Sequence, residues 1–89
     1  MSKTMSLAAF KRTIRPGAVF ECELNERIPE RAGKRITITG GGSSVLQCEM
    51  DGKGYRFEWP KASQVEELTP TLIAYRLPGG ELVRHRVTA

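Results

Sequence analysis

The chain holds few side chains that could act as a catalytic base, a nucleophile or a metal ligand. Its one histidine, His85, lies between Arg84 and Arg86, where positive neighbours oppose protonation and no carboxylate nearby in the sequence orients the ring. Its two cysteines, Cys22 and Cys48, lack metal-site spacing, and one histidine cannot complete a Cys/His zinc site with them. We therefore expect a protein that is not an enzyme and that uses no cofactor and no metal ion.

Two further motifs resemble catalytic or phosphate-binding motifs but are better explained as structure. Glu66 and Glu67 are adjacent, so their side chains point to different faces and do not form a general acid and base pair. Glycines 40–42 lack the Lys-Ser/Thr that follows a phosphate-binding loop and instead predict a flexible hairpin connection. Cys22 and Cys48 fall on inward-facing strand positions, where buried reduced thiols are expected, a disulfide between them being the alternative.

The segment 53–59 combines basic and aromatic residues and reads Lys-Gly-Tyr-Arg-Phe-Glu-Trp. It partly resembles the RNA-binding signature of RRM and cold-shock domains, in which a basic residue and a glycine precede aromatics that stack on bases. The matching positions are Lys53, Gly54, Tyr55 and Phe57. Glu58 departs from the signature, because a carboxylate repels a phosphate backbone. Two interpretations follow. Tyr55, Phe57 and Trp59 alternate along the strand and point into the core, or they form a surface that stacks on bases.

A second kind of surface is suggested by Trp59 and by the charged loop 25–33 with the residues just after it. Trp59 precedes Pro60, and a rigid Trp-Pro corner often shapes a groove; a half-buried Trp59 would be the main hot spot of a protein interface. The loop region carries charges of both signs and is a second candidate surface, a solvated loop being the alternative. The predicted partner-binding residues are Trp59, Arg27, Arg31 and Arg35.

The positive charge is concentrated at the N-terminus. The formal net charge is +4, and residues 1–16 hold four basic and no acidic side chains, whereas the rest of the chain is balanced. A basic element on a neutral body suits contact with phosphates or with an acidic partner, although exposed cations also keep a helix soluble. Nucleic-acid binding is therefore the alternative function. Its predicted contact residues are Lys11, Arg12, Arg15, Lys53 and Tyr55.

Hydrophobic patterning predicts a short helix at the N-terminus. Ser6 suits the N-cap of a helix over residues 7–14, in which Leu7, Phe10 and Ile14 form one apolar stripe. Pro16 and the following glycine end the helix.

From residue 18 onward the pattern has a period of two, which predicts strands. The predicted strands cover residues 18–25, 34–39, 45–50 and 55–59, followed by a hairpin of 71–77 with 82–88. Asp51-Gly52 is the strongest tight-turn signal. The polar segment 61–68 predicts a helical turn, with Val65 and Leu68 contacting the core.

About five to six short antiparallel strands with close turns predict a mostly β fold. We expect a small SH3-like barrel, with an OB-like barrel as the alternative, and a short N-terminal helix. The predicted single domain covers residues 1–89, with a basic arm and helix at 1–16 and a barrel-like body at 17–89. No apolar stretch approaches the roughly 20 residues that span a bilayer, so a cytoplasmic protein without membrane contact is expected.

Two short motifs carry a resemblance to known proteins. They are Leu7-x-x-Phe10-Lys11-Arg12 followed by Pro16-Gly17, and Trp59-Pro60-Lys61-Ala62-Ser63. With these motifs the chain resembles a set of small proteins encoded by actinobacterial phages and mobile elements. The resemblance implies a small phage-type accessory protein that acts by binding, and it assigns no functional residue.

The features above favour a non-enzymatic binding module that engages a protein partner. Nucleic-acid binding through the basic helix and the strand 55–59 is the alternative. Exposed strand edges could also pair two copies into a homodimer.

Overall fold

A computed structural model describes residues 4–42 and 44–88 of the 89-residue chain. The described residues form one short helix, seven strands and two 3-10 helices. The bounds are α1 Leu7–Thr13, β1 Val19–Asn25, a 3-10 helix Pro29–Arg31, β2 Arg35–Gly41, β3 Val45–Met50, β4 Lys53–Glu58, a second 3-10 helix Ala62–Gln64, β5 Val65–Thr69, β6 Leu72–Arg76 and β7 Leu82–Thr88.

The strands form one antiparallel sheet in the order β4-β3-β2-β1-β7-β6-β5. The fold is therefore mostly β, as predicted. The expected closed barrel was wrong, because no ladder among the described residues joins the outer strands β4 and β5. The segment between these strands contains Pro60 and the second 3-10 helix, and proline has no N–H to donate to a ladder. The sheet nevertheless bends, since Phe57 of β4 and Tyr75 of β6, which four strands separate in the sheet order, have ring centroids 6.2 Å apart.

The sequence pattern did not predict the strand β5 but indicated a helical turn over residues 61–68. Only the 3-10 helix at Ala62–Gln64 fits that prediction. Val65 and Leu68 are buried, and the pairing with β6 shifts register between Val65 and Glu67. This irregularity places buried residues three positions apart, so the alternation that identifies a strand is absent.

The concave face of the sheet forms the core. Phe20 lies at its centre, and its ring centroid is 5.3 Å from that of Phe57, 6.3 Å from Trp59 and 5.8 Å from His85. The alternation predicted for the first strands is confirmed at the buried positions Phe20, Cys22, Ile36, Ile38, Leu46 and Cys48. Both cysteines are buried free thiols. In β6 the alternation of buried and exposed residues is lost, since Ile73, Ala74 and Tyr75 are all buried.

The helix α1 covers one end of this core. Ser6 caps it by accepting a hydrogen bond from Ala9 N at 3.1 Å. Phe10 is fully buried, and its ring meets Trp59 edge-on at 6.0 Å. Thr4, before the helix, donates from its backbone N to Leu68 O at 2.8 Å. Thr4 and α1 therefore pack on the β5 side of the sheet.

Candidate functional site

An open cleft lies between β4, one of the two outer strands of the sheet, and the end of β6. Its volume is about 790 Å³, within the range of about 300–1,000 Å³ typical of ligand sites. The sides of the cleft come from β4, from the corner after β4 and from the turn after β6. The residues from β4 and the corner are Tyr55, Arg56, Phe57, Glu58, Trp59, Pro60 and Lys61; the opposite side includes Tyr75, Leu77 and Pro78.

Aromatic side chains from two distant parts of the sheet form the floor of the cleft. Phe57 on β4 meets Tyr75 on β6 with ring centroids 6.2 Å apart, and it meets Trp59 at 5.4 Å. Trp59 is half-buried, because Phe10 and Phe20 hold one part of its ring. The Trp59–Pro60 bond is trans. Lys11 Nζ lies 5.5 Å from the Trp59 ring centroid, so the basic face of α1 reaches the same residue.

The loop after β1 brings two arginines to the cleft. Asn25 Oδ1 accepts hydrogen bonds from Arg27 N at 3.0 Å and Ile28 N at 2.8 Å, which turns the chain into the first 3-10 helix. Arg31, at the end of that helix, donates to the Tyr55 hydroxyl, and its guanidinium carbon lies 4.8 Å from the Tyr55 ring centroid. Arg31 thereby covers a ring that would otherwise be open to a ligand.

The basic side chains of the cleft have no acidic partners within the described residues. Arg27, Arg31, Arg56 and Lys61 line the cleft together with a single carboxylate, Glu58, and none of the four forms an ion pair with a described residue. The ion pairs of the described surface lie elsewhere and are Lys34–Asp51, Arg35–Glu21, Arg76–Glu66, Arg84–Glu67 and Arg86–Glu23. The cleft therefore carries a local excess of positive charge that suits an anionic ligand.

Beneath the cleft is a cavity of about 50 Å³ lined by Cys22, Tyr75 and His85 among others. This volume is far below that of a typical ligand site. The Tyr75 hydroxyl and His85 Nε2 share a hydrogen bond at 3.2 Å, and Cys22 pairs with His85 across β1 and β7. Burial lowers the pKa of His85 to about 4 and raises the pKa of the Cys22 thiol. At neutral pH both groups are uncharged, so they do not form a thiolate–imidazolium pair.

The structure brings some of the predicted site residues together and leaves others apart. Trp59, Arg27, Arg31 and Tyr55 all line the cleft. Arg35 does not, because it begins β2, where its side chain is 71% exposed and lies 4.0 Å from Glu21.

None of the basic residues proposed for nucleic-acid contact lines the cleft. Arg12 and Arg15 are exposed on and after α1, and Lys53 is exposed at the start of β4. Lys11 alone reaches Trp59. Tyr55 is half-buried and bonded to Arg31.

Three further residues of the cleft were not among the predicted partner-binding residues: Arg56, Lys61 and Tyr75. Arg56 lies within the predicted aromatic run and Lys61 directly follows the Trp-Pro corner, so proximity in sequence was an available signal. No such signal exists for Tyr75, because this residue reaches the cleft through the pairing of β6 with β7.

The fold and site together define a small, mostly β domain with an open antiparallel sheet and a basic aromatic cleft. Comparisons of the chain with protein families, with curated proteins and with solved structures found no match. Within the described residues, no three His, Cys, Asp or Glu side chains cluster in a way that could hold a metal ion. No helix in the same residues has the length and apolar character to cross a membrane.

Proposed function

We propose that this protein is a non-enzymatic binding module whose cleft holds a segment of a partner protein. The observation that carries the proposal is the set of cations in the cleft, which lack acidic partners within the described residues while sitting beside half-buried aromatic rings. Tryptophan, tyrosine and arginine are the residues that contribute most to protein interfaces. The resemblance to phage and mobile-element proteins suggests a host or phage protein as the partner.

The test is a selection of partner-like peptides on the folded protein. A displayed library of random peptides of about twelve residues is enriched on the wild-type protein, and affinities of the enriched peptides are measured by fluorescence anisotropy. We expect the double variant Arg27→Ala, Arg56→Ala to weaken binding about tenfold or more, because both side chains are exposed in the cleft and available to the ligand.

Arg35→Ala is the matched control, since it removes an exposed arginine that lies outside the cleft. It is expected to leave peptide affinity unchanged. Enriched peptides that bind the double variant as well as the wild type would show that the cleft is not the binding surface. A library that yields no binder would count against the whole proposal.

Nucleic-acid binding is the second candidate, favoured by the exposed cations of α1. Arg12 and Arg15 form no ion pair with a described residue, and Lys11 lies against Trp59. Labelled single- and double-stranded DNA and RNA, titrated at low and near-physiological salt, test this candidate. Strong binding that falls steeply with salt and is lost in the variant Lys11→Ala, Arg12→Ala, Arg15→Ala would make it the better account.

A further inference from the structure

We propose that the cleft binds an extended, acidic peptide segment, which pairs with the free edge of β4 as an additional strand. The proposal rests on the function proposed above and specifies the conformation and charge of the partner. It follows from the hydrogen-bonding state of the two outer strands, from the regularity of β4 and from the charge around it.

The hydrogen-bond pattern of β4 shows which backbone groups are available at its edge. Trp59 N donates to Ser44 O at 3.1 Å, and the register with β3 continues regularly from Glu58↔Val45 to Lys53↔Met50. In an antiparallel pair, alternate residues direct both backbone groups to the same neighbour. Tyr55 and Phe57 therefore bond to β3, and the residues between them direct their N–H and C=O groups to the opposite side. These residues are Gly54, Arg56 and Glu58.

That opposite side is the free edge, because β4 is the last strand of the sheet. The other outer strand, β5, is partly covered: both the backbone N and Oγ1 of Thr4 donate to Leu68 O, at 2.8 and 3.3 Å. No comparable cover lies on β4 within the described residues. The strand has no bulge and no proline, so it lacks two of the devices by which proteins protect an edge.

The side chains around the edge favour an acidic peptide. A strand added next to β4 would direct alternate side chains inward, toward Phe57 and Tyr75, and the others outward, beside Arg56. Arg27, Arg31 and Lys61 surround the same space. Carboxylates on the added strand would supply the acidic partners that these cations lack within the described residues.

The same observations disfavour the other occupants. Phe57 is 4% exposed and Arg31 covers one face of the Tyr55 ring, so these two rings offer little surface for base stacking. A second copy of this chain would bring two positively charged clefts together, and like charges repel. An acidic peptide needs no open ring face, and its charge is opposite to that of the cleft.

The experiment measures the binding of a defined peptide to the intact protein by fluorescence anisotropy. The probe is a labelled peptide of about eight residues that alternates Glu and Val, a length within the usual range for a strand. Its controls are the same peptide with Lys in place of Glu, and two N-methylated forms that block alternate sets of backbone N–H groups. We expect the Glu-Val peptide to bind, the Lys-Val peptide not to bind, and only one methylated form to lose about tenfold or more in affinity.

Two protein variants test the same contact from the other side. Arg56→Pro removes an N–H at the free edge of β4 without removing a bond to β3, and Arg56→Ala removes the same charge but keeps the N–H. We expect Arg56→Pro to bind the probe more weakly than Arg56→Ala. Amide signals of β3 and β1 in NMR spectra check that both variants keep their fold. If Arg56→Pro does not fold, the methylated peptides decide the question alone.

Several results would overturn the proposal. Equal binding of the two methylated forms would mean that the peptide does not pair as a strand, and equal binding of the Lys-Val peptide would remove the preference for acid. A dimer that forms as protein concentration rises and that Arg56→Pro abolishes would assign the edge to a second copy. If library peptides bind the cleft but the Glu-Val peptide does not bind, the proposed function stands and this inference fails; if neither binds, both fail.

Discussion

His85 shows how burial changes the chemistry of a single side chain. It lines the small cavity beneath the cleft, faces Cys22 across β1 and β7, and bonds to the Tyr75 hydroxyl. Its Nδ1 is buried and has no hydrogen-bond partner in the described part of the chain. The sequence placed this residue between two arginines, but the property that matters is desolvation, which favours the neutral ring.

Stability should therefore depend on pH through His85. The pKa is 6.5 in the unfolded chain and about 4 in the folded protein, so between these values the unfolded chain binds more protons. The free energy of unfolding should fall as the pH drops from 6.5 toward 4, by about 3 kcal/mol in total, and this contribution should level off below pH 4. Urea unfolding followed by Trp59 fluorescence at several pH values measures it.

The control for this prediction is His85→Gln, which keeps a polar side chain but does not titrate. All other titratable groups are the same in the two proteins, so their contribution to the pH dependence cancels in the comparison. The difference between the two stability curves therefore isolates His85. The structure buries His85, and burial lowers its pKa. Stability curves of the two proteins that stay parallel from pH 7 to pH 4 would contradict this desolvation.

Among the elements, the hairpins depend on backbone conformations that particular residues supply. Asp51 and Gly52 have φ values of 54° and 78°, the left-handed pair that the Asp-Gly signal predicted for a tight turn. Gly41 ends β2 with φ at 126°, and a Cβ placed there would lie 2.6 Å from Leu46 Cα and 2.6 Å from Val45 O. The connection predicted to be merely flexible thus includes a close approach of two backbones.

Gly41→Ala should destabilise the protein by about 1–3 kcal/mol, because it combines an unfavourable φ with a clash against β3. Gly42→Ala is the matched control: it lies next in the chain, has an ordinary φ and meets no atom within 4 Å. The midpoints of urea unfolding of the two variants give the comparison. Equal midpoints would mean that the β2–β3 connection adjusts without cost.

For the whole molecule, the notable feature is that α1 closes one end of a core that the open sheet cannot close by itself. Phe10 is fully buried against Trp59 and is one of the largest fully buried side chains. A domain of this size has a total stability of about 4–13 kcal/mol. The loss of one well-packed ring is therefore a large fraction of the total.

Phe10→Ala should lower the free energy of unfolding by about 3–5 kcal/mol. Leu7→Ala, on the same apolar stripe but only half-buried, should cost clearly less. Thermal or urea unfolding of both variants tests this order. A small effect for Phe10→Ala would mean that the sheet is stable without the helix packed on it, and Trp59 fluorescence would then report whether the ring has become exposed.

Local patterns in the sequence determined much of the secondary structure. Ser6 and the apolar stripe predicted α1 because capping and helical periodicity act within a few residues. Alternation predicted β1 to β4 and the last hairpin for the same reason, and it correctly placed Phe20, Cys22 and Ile38 inside. The net charge and its concentration near the N-terminus are also properties of the sequence alone.

Only the tertiary structure decided whether the sheet closes and what lies at its opening. The strand β5 was hidden by a register shift, and without it the position of the free edge could not be found. The cleft joins Arg27 and Arg31 of one loop to Trp59 and to Tyr75, three parts of the chain that are distant in sequence and meet because the sheet bends. Long-range pairing sets this arrangement, and its energy depends on contacts that no local pattern contains.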